Sequence, residues 1–152
     1  MIVKVLLTHE DAVVKLPTAD EATLFATMIN QKYPLITNCW GAMDGLKLTR
    51  LQRAGNETQQ NNFYNGWTHE HYNVTNLGFF SPDGKIRCSY FNAPGVLHDS
   101  TMAIWSSIYD QIKTVYRDTG KKVVVDSAFA SKNNSNAMLK SHQNNVDAND
   151  NP

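Results

Sequence analysis

The sequence predicts an α/β domain built on a mixed sheet with helical cover. Two strand-like apolar runs flank a Pro-Asp-Gly turn, amphipathic helical patterns stand on either side of that hairpin, and a further apolar run, Val123-Val124-Val125, follows the second helix. A hairpin followed by a helix that crosses back to another strand gives a mixed rather than a purely antiparallel sheet. With 152 residues, the chain is long enough for one domain with a core and short for two.

The elements follow in order. After an apolar start, Thr18-Ala19-Asp20-Glu21 forms a capping box just inside Pro17, and Ala22, Leu24, Phe25, Met28 and Ile29 recur at helical spacing. Proline disfavours helical backbone in the residue before it, so this helix stops before Pro34. Cys39 to Leu48 is mostly apolar, with alternation after Gly45, and reads as a strand. Gln52 to Gly66 is polar and rich in Asn and Gln, a long loop. Tyr72 to Phe80 and Ile86 to Ala93 form the hairpin around Ser81-Pro82-Asp83-Gly84. Asp99 or Ser100 then caps one helix whose apolar face includes Met102, Trp105, Ile108, Ile112 and Val115. Gly120 ends it, and Lys121 to Val125 is a short strand of buried type. The Asn-rich end reads as a weak helix around Ala137 to Leu139, then a frayed tail, because so few apolar side chains do not offset the cost of ordering. The division is a terminal extension over 1–15, a domain over 16–130 and a polar tail over 131–152.

Composition narrows the function. Lys plus Arg equals Asp plus Glu, 14 against 14, so no global field draws the chain to nucleic acid. Binding to DNA would rest on a local patch or a partner. Cys39 and Cys88 lie far apart in apolar runs and read as free buried thiols, which suits a reducing compartment. No apolar run approaches the roughly 20 residues that cross a membrane, and no membrane partner is expected. His69 and His71 have no third soft ligand nearby, so a zinc site is not predicted.

Three aspartates stand in distinctive settings: Gly41-Ala42-Met43-Asp44-Gly45, Pro94-Gly95-Val96-Leu97-His98-Asp99-Ser100 and Val123-Val124-Val125-Asp126-Ser127. Carboxylates brought from strand ends to one point hold Mg²⁺ or Mn²⁺ beside a phosphodiester, so a metal-dependent nuclease leads. Each aspartate also has a structural reading. Asp44-Gly45 is a favoured hairpin turn, Asp99 a good helix N-cap, and Asp126-Ser127 the start of a turn. His98 is placed to orient a carboxylate or meet phosphate, and Lys47, Arg50 and Arg53 offer a small basic patch; a solvated surface is the alternative for all of them.

The order and spacing of these motifs carry more than any one of them. Leu16-Pro17-Thr18, Trp40-Gly41-Ala42-Met43-Asp44-Gly45-Leu46-Lys47-Leu48, Phe63-Tyr64-Asn65-Gly66-Trp67, Phe80-Ser81-Pro82-Asp83-Gly84, Asn92 through Met102 and Val123 through Phe129 together resemble the PIF/Harbinger-type transposases and the nucleases derived from them. The resemblance covers roughly residues 16 to 130. It implies a ribonuclease H-like fold and a DDE-type endonuclease that acts on DNA with Mg²⁺ or Mn²⁺. Asp44 and Asp126 would be two members of the catalytic triad, and Asp99 a further acidic position at the metal site. It also implies a nuclear protein with a Myb-like DNA-binding partner.

The chain departs from the family pattern in two respects. The family's catalytic glutamate follows the Asp126 block on a helix, whereas this chain has no glutamate after Glu70. Asp147 and Asp150 lie in a tail without helical pattern and are not assigned to that role. The family's helical DNA-recognition region is also absent from the sequence. The expectation is a fold incomplete at its C-terminus, a fragment that cleaves DNA little or not at all. A catalytically dead domain that binds DNA or protein is the alternative, and an unrelated α/β domain with purely structural aspartates is the third reading.

Overall fold

The computed structural model describes residues 12–49, 73–129 and 136–140, together with His9 and Thr58. Within them lie helix α1 (Ala19–Lys32), strand β1 (Cys39–Thr49), the hairpin β2 (Asn73–Phe80) and β3 (Ile86–Pro94), helices α2 (Asp99–Trp105) and α3 (Ile108–Thr119), and strands β4 (Lys122–Val125) and β5 (Met138–Lys140). The five strands form one sheet in the order β3-β2-β1-β4-β5. β1, β2 and β3 pair antiparallel, whereas β1, β4 and β5 run parallel. This mixed α/β sheet is compatible with a ribonuclease H-like nuclease fold, as the sequence implies.

The alternation along the strands decides which face is buried. Met43, Leu77, Phe79, Cys88, Val123 and Val125 share one face through the register of their pairs, and all are buried. The amphipathic helix α3 covers that face with Ile108, Ile112 and Val115, and Cys88 Sγ donates to Gln111 Oε1 across the contact at 2.9 Å. Burying each such aliphatic side chain contributes about 1.5–3 kcal/mol. Trp40 and Phe79 meet edge to face with centroids 5.5 Å apart. Leu46, Leu48, Phe80 and Phe91 are exposed, the first two alternating to the face opposite Met43.

α1 begins at the capping box. Thr18 N donates to Glu21 Oε2 at 2.8 Å, and Glu21 N donates to Thr18 Oγ1 at 3.2 Å. Its buried stripe is narrower than the spacing suggests: Ala22, Phe25 and Ala26 are buried, whereas Leu24 and Met28 are exposed. Glu21 also reaches the hairpin. Arg87, only 5% exposed, donates to Glu21 at 3.1 Å and to Asp83, lies over the Phe25 ring at 4.9 Å, and donates from Nε to Ser81 Oγ at 3.0 Å. The turn Ser81-Pro82-Asp83-Gly84 therefore does more than reverse the chain: it clasps a buried guanidinium whose charge needs those partners.

The strand expected over Cys39 to Leu48 is present and excludes the hairpin-turn alternative for Asp44-Gly45, with Asp44 paired to Gly78 and Gly45 to Leu77. Three expectations are corrected here. The N-cap of α2 is His98, not Asp99 or Ser100, and no side chain caps that end. The single helix expected from Asp99 onward is two, broken at Ser106-Ser107, where Ser107 takes a left-handed φ of 55°. Serine competes with helical backbone in this way, and the break turns Trp105 outward, 65% exposed. Lastly, the weak helix around Ala137 to Leu139 is a short 3₁₀ turn leading into β5, which pairs Met138 with Val123. Pairing with a buried strand overrides weak local helical pattern. The expected loop over Gln52 to Gly66, apart from Thr58, and the tail beyond Lys140 lie outside the described residues.

Candidate active site

The sheet brings two of the three aspartates together by register. Gly41, Ala42 and Met43 of β1 pair with Val123, Val124 and Val125 of β4 in parallel, so Asp44 and Asp126 are the next residue on each neighbouring chain. Asp44 stays within β1, exposed, and its Oδ1 accepts from Gly45 N at 2.8 Å. β4 ends at Val125, and Asp126 Oδ1 accepts from Ala128 N at 2.8 Å. The turn expected at Asp126 is present. It uses one oxygen and leaves the other outside that bond.

Asp99 arrives from α2 on the other side of β1. Its carboxylate rests against Gly45, where an added Cβ would lie 2.8–2.9 Å from Oδ2, Cγ and Oδ1. Consecutive residues of a strand point to opposite faces. Asp44 and the Asp99 carboxylate thus flank β1 from its two sides. Asp99 Oδ1 is buried without a hydrogen-bond partner. Burial pushes the Asp99 carboxyl above its usual range, and the charges of Asp126 and Asp44 push the same way, against the pull of Lys47 and His98. Lys47 and His98 are both exposed. Arg50 lies outside the described residues.

The three carboxylates therefore share one electrostatic neighbourhood, although they come from widely separated parts of the chain. They do not meet at one point: among the described residues, no three His, Cys, Asp or Glu side chains stand close enough to hold one ion together. The donors nevertheless fit a hard divalent cation. They are oxygens only, they carry repelling negative charges, and one is a buried carboxylate oxygen lacking a partner. Cys39 and Cys88 are free and buried, as expected. Among the described residues no helix is long and apolar enough to cross a membrane.

Sequence reasoning placed Gly45 within the strand over Cys39 to Leu48, as found, but missed its contact with Asp99, which nothing local to Gly45 signals.

Residues 43–151 match the model of a family described as DDE superfamily endonuclease. The match reaches beyond residue 130, where the motif resemblance stops. No curated protein and no solved structure matches the chain.

Proposed function

The chain belongs to the DDE superfamily endonuclease family, and from that premise we propose a transposase-type, metal-dependent endonuclease domain of the PIF/Harbinger kind whose substrate is DNA. The observation that supports this reading is the pairing of β1 with β4, in which Asp44 and Asp126 follow the register partners Met43 and Val125. Asp44 and Asp126 would hold Mg²⁺ or Mn²⁺, and the Asp99 carboxylate, on the other side of β1, would add negative charge to the same neighbourhood rather than a third ligand to one ion. Bound there, the cation supplies Lewis-acid activation of water and stabilisation of the leaving oxygen in phosphodiester hydrolysis. Lys47 and His98, exposed beside Asp99, would meet the phosphate backbone; Arg50 belongs to the same proposal by sequence alone. Nuclear location and a Myb-like DNA-binding partner follow from the subtype and are proposed with it.

A second reading has one observation in its favour. No glutamate follows Glu70, so the third catalytic carboxylate of this family is missing from the chain as given. In that reading the domain binds DNA or protein without cutting.

The test follows thermal stability during Mg²⁺ and Mn²⁺ titration, beside cleavage of supercoiled DNA. We expect a metal-dependent rise in Tm that Asp44→Asn and Asp126→Asn each abolish, with little or no cleavage. An unchanged metal response in both variants would reject the site, and robust cleavage would reject the inactive reading.

A further inference from the structure

Gly45 is the position at which local chemistry and structure part most clearly. Its φ is not positive, unlike those of Gly84 and Gly120, so its backbone does not require glycine. It is not in a turn either, because it pairs with Leu77 in the antiparallel ladder. What remains is space. The three atoms nearest to an added Cβ are all from one group: Asp99 Oδ2 at 2.8 Å, Cγ at 2.9 Å and Oδ1 at 2.9 Å. Real Cβ atoms do not approach other heavy atoms so closely, and no backbone atom is among the three.

We propose that Gly45 is a positioning residue: its missing side chain is the seat in which the Asp99 carboxylate rests on β1, close to Asp44 and Asp126. The inference rests on the metal-site reading given above and adds a residue to it. Asp99 cannot easily back away as a whole, since it opens α2, whose first turn is closed by Met102 N donating to His98 O at 3.0 Å. A methyl group at position 45 therefore turns the carboxylate out of its seat by side-chain rotation. Glycine in a strand interior lacks packing and costs entropy, so its presence here suits a close approach by another group.

Four versions of the full chain test this: wild type, Gly45→Ala, Asp99→Ala and the double variant. Urea midpoints without metal report the seat, and Mn²⁺ affinity reports its purpose. Gly45→Ala should lower the urea midpoint in the wild-type background and leave it unchanged or raised in the Asp99→Ala background, where the clashing atoms are gone. Mn²⁺ affinity should fall about 10-fold or more for Gly45→Ala, as for Asp99→Ala, and the double variant should be no weaker than Asp99→Ala alone. Equal midpoint losses in both backgrounds would overturn the seat, and so would full Mn²⁺ affinity in Gly45→Ala. Coupled midpoints with no Mn²⁺ binding by any of the four would uphold the seat and overturn the metal reading on which its purpose rests.

Discussion

Met43 on β1 and Val125 on β4 are register partners in adjacent parallel strands, and the residues that follow them are Asp44 and Asp126. Register, rather than any local motif, makes these two aspartates the next residues on neighbouring strands. The buried partners anchor the arrangement: Met43 and Val125 are packed into the core beneath α3, so neither strand can slip without turning an apolar side chain into water. Asp99 comes from the other side of β1, on a helix that begins where the hairpin ends. The site is thus assembled from three separate segments on a buried sheet.

The charge on Asp99 has a cost that metal-free protein should reveal. Its folded pKa is raised, chiefly by burial and then by Asp126 and Asp44. Folding therefore strengthens proton binding at this group: the stabilisation is full below the ordinary carboxylate range and is lost as pH rises through the raised value. At neutral pH Asp99→Asn should raise Tm by roughly 2–4 °C, the equivalent of about 1 kcal/mol. The gain should shrink in acid and when Mg²⁺ is added. Differential scanning calorimetry across pH, with and without metal, checks all three statements.

Arg87 should be among the least replaceable residues outside the site. It is 5% exposed and held between Glu21 and Asp83, with Ser81 on Nε. Arg87→Met should destabilise by about 3 kcal/mol, because breaking a buried pair leaves charges without partners. Both carboxylates have lowered pKa values. For Glu21 the largest cause is the hydrogen bond from Thr18 N, with Arg87 adding to it; for Asp83, burial opposes the shift and the bonds from Ser81, Lys85 and Arg87 outweigh it. The stability they contribute is present above the ordinary carboxylate range and lost as pH falls through the lowered values. Urea denaturation below about pH 4 should show wild type losing stability faster than Arg87→Met.

Much of this fold was legible because local and tertiary signals agree. The capping box at Thr18, the Pro82-Asp83-Gly84 turn and Gly120 at the end of α3 each dictate backbone geometry within a few residues. The strand over Cys39 to Leu48 was legible too, since alternation outweighs the turn chemistry of Asp44-Gly45, which pairs with Gly78 and Leu77. Failures came where a local signal had a tertiary competitor. Ala137 to Leu139 carries weak helical pattern, but β4 offers Met138 a buried partner in Val123. The aspartates were legible as candidates because each stands out from its surroundings. Their mutual placement was not, since parallel register and the seat at Gly45 exist only between segments.

The break between α2 and α3 offers a simpler check on backbone energetics. Ser107 has a φ of 55°, a left-handed conformation that costs a residue with a Cβ about 1–2 kcal/mol relative to glycine. Ser107 makes no side-chain cap bond to offset that cost. Ser107→Gly should stabilise by about 0.5–1 kcal/mol after the larger chain entropy of glycine is deducted. Equilibrium urea unfolding measures this, and a loss of stability would mean that the hydroxyl contributes more than the strain.

The metal-site reading rests on Asp44 and Asp126, with the charge of Asp99 close by, and paramagnetic broadening by Mn²⁺ is its sharpest test. In an isotope-labelled full chain, substoichiometric Mn²⁺ should first erase the amide signals of Asp44, Gly45, Asp99 and Asp126, while signals from the Arg87 clasp persist. Asp44→Asn together with Asp126→Asn should abolish that selectivity. Broadening centred elsewhere, or uniform weak broadening across the surface, would contradict the account.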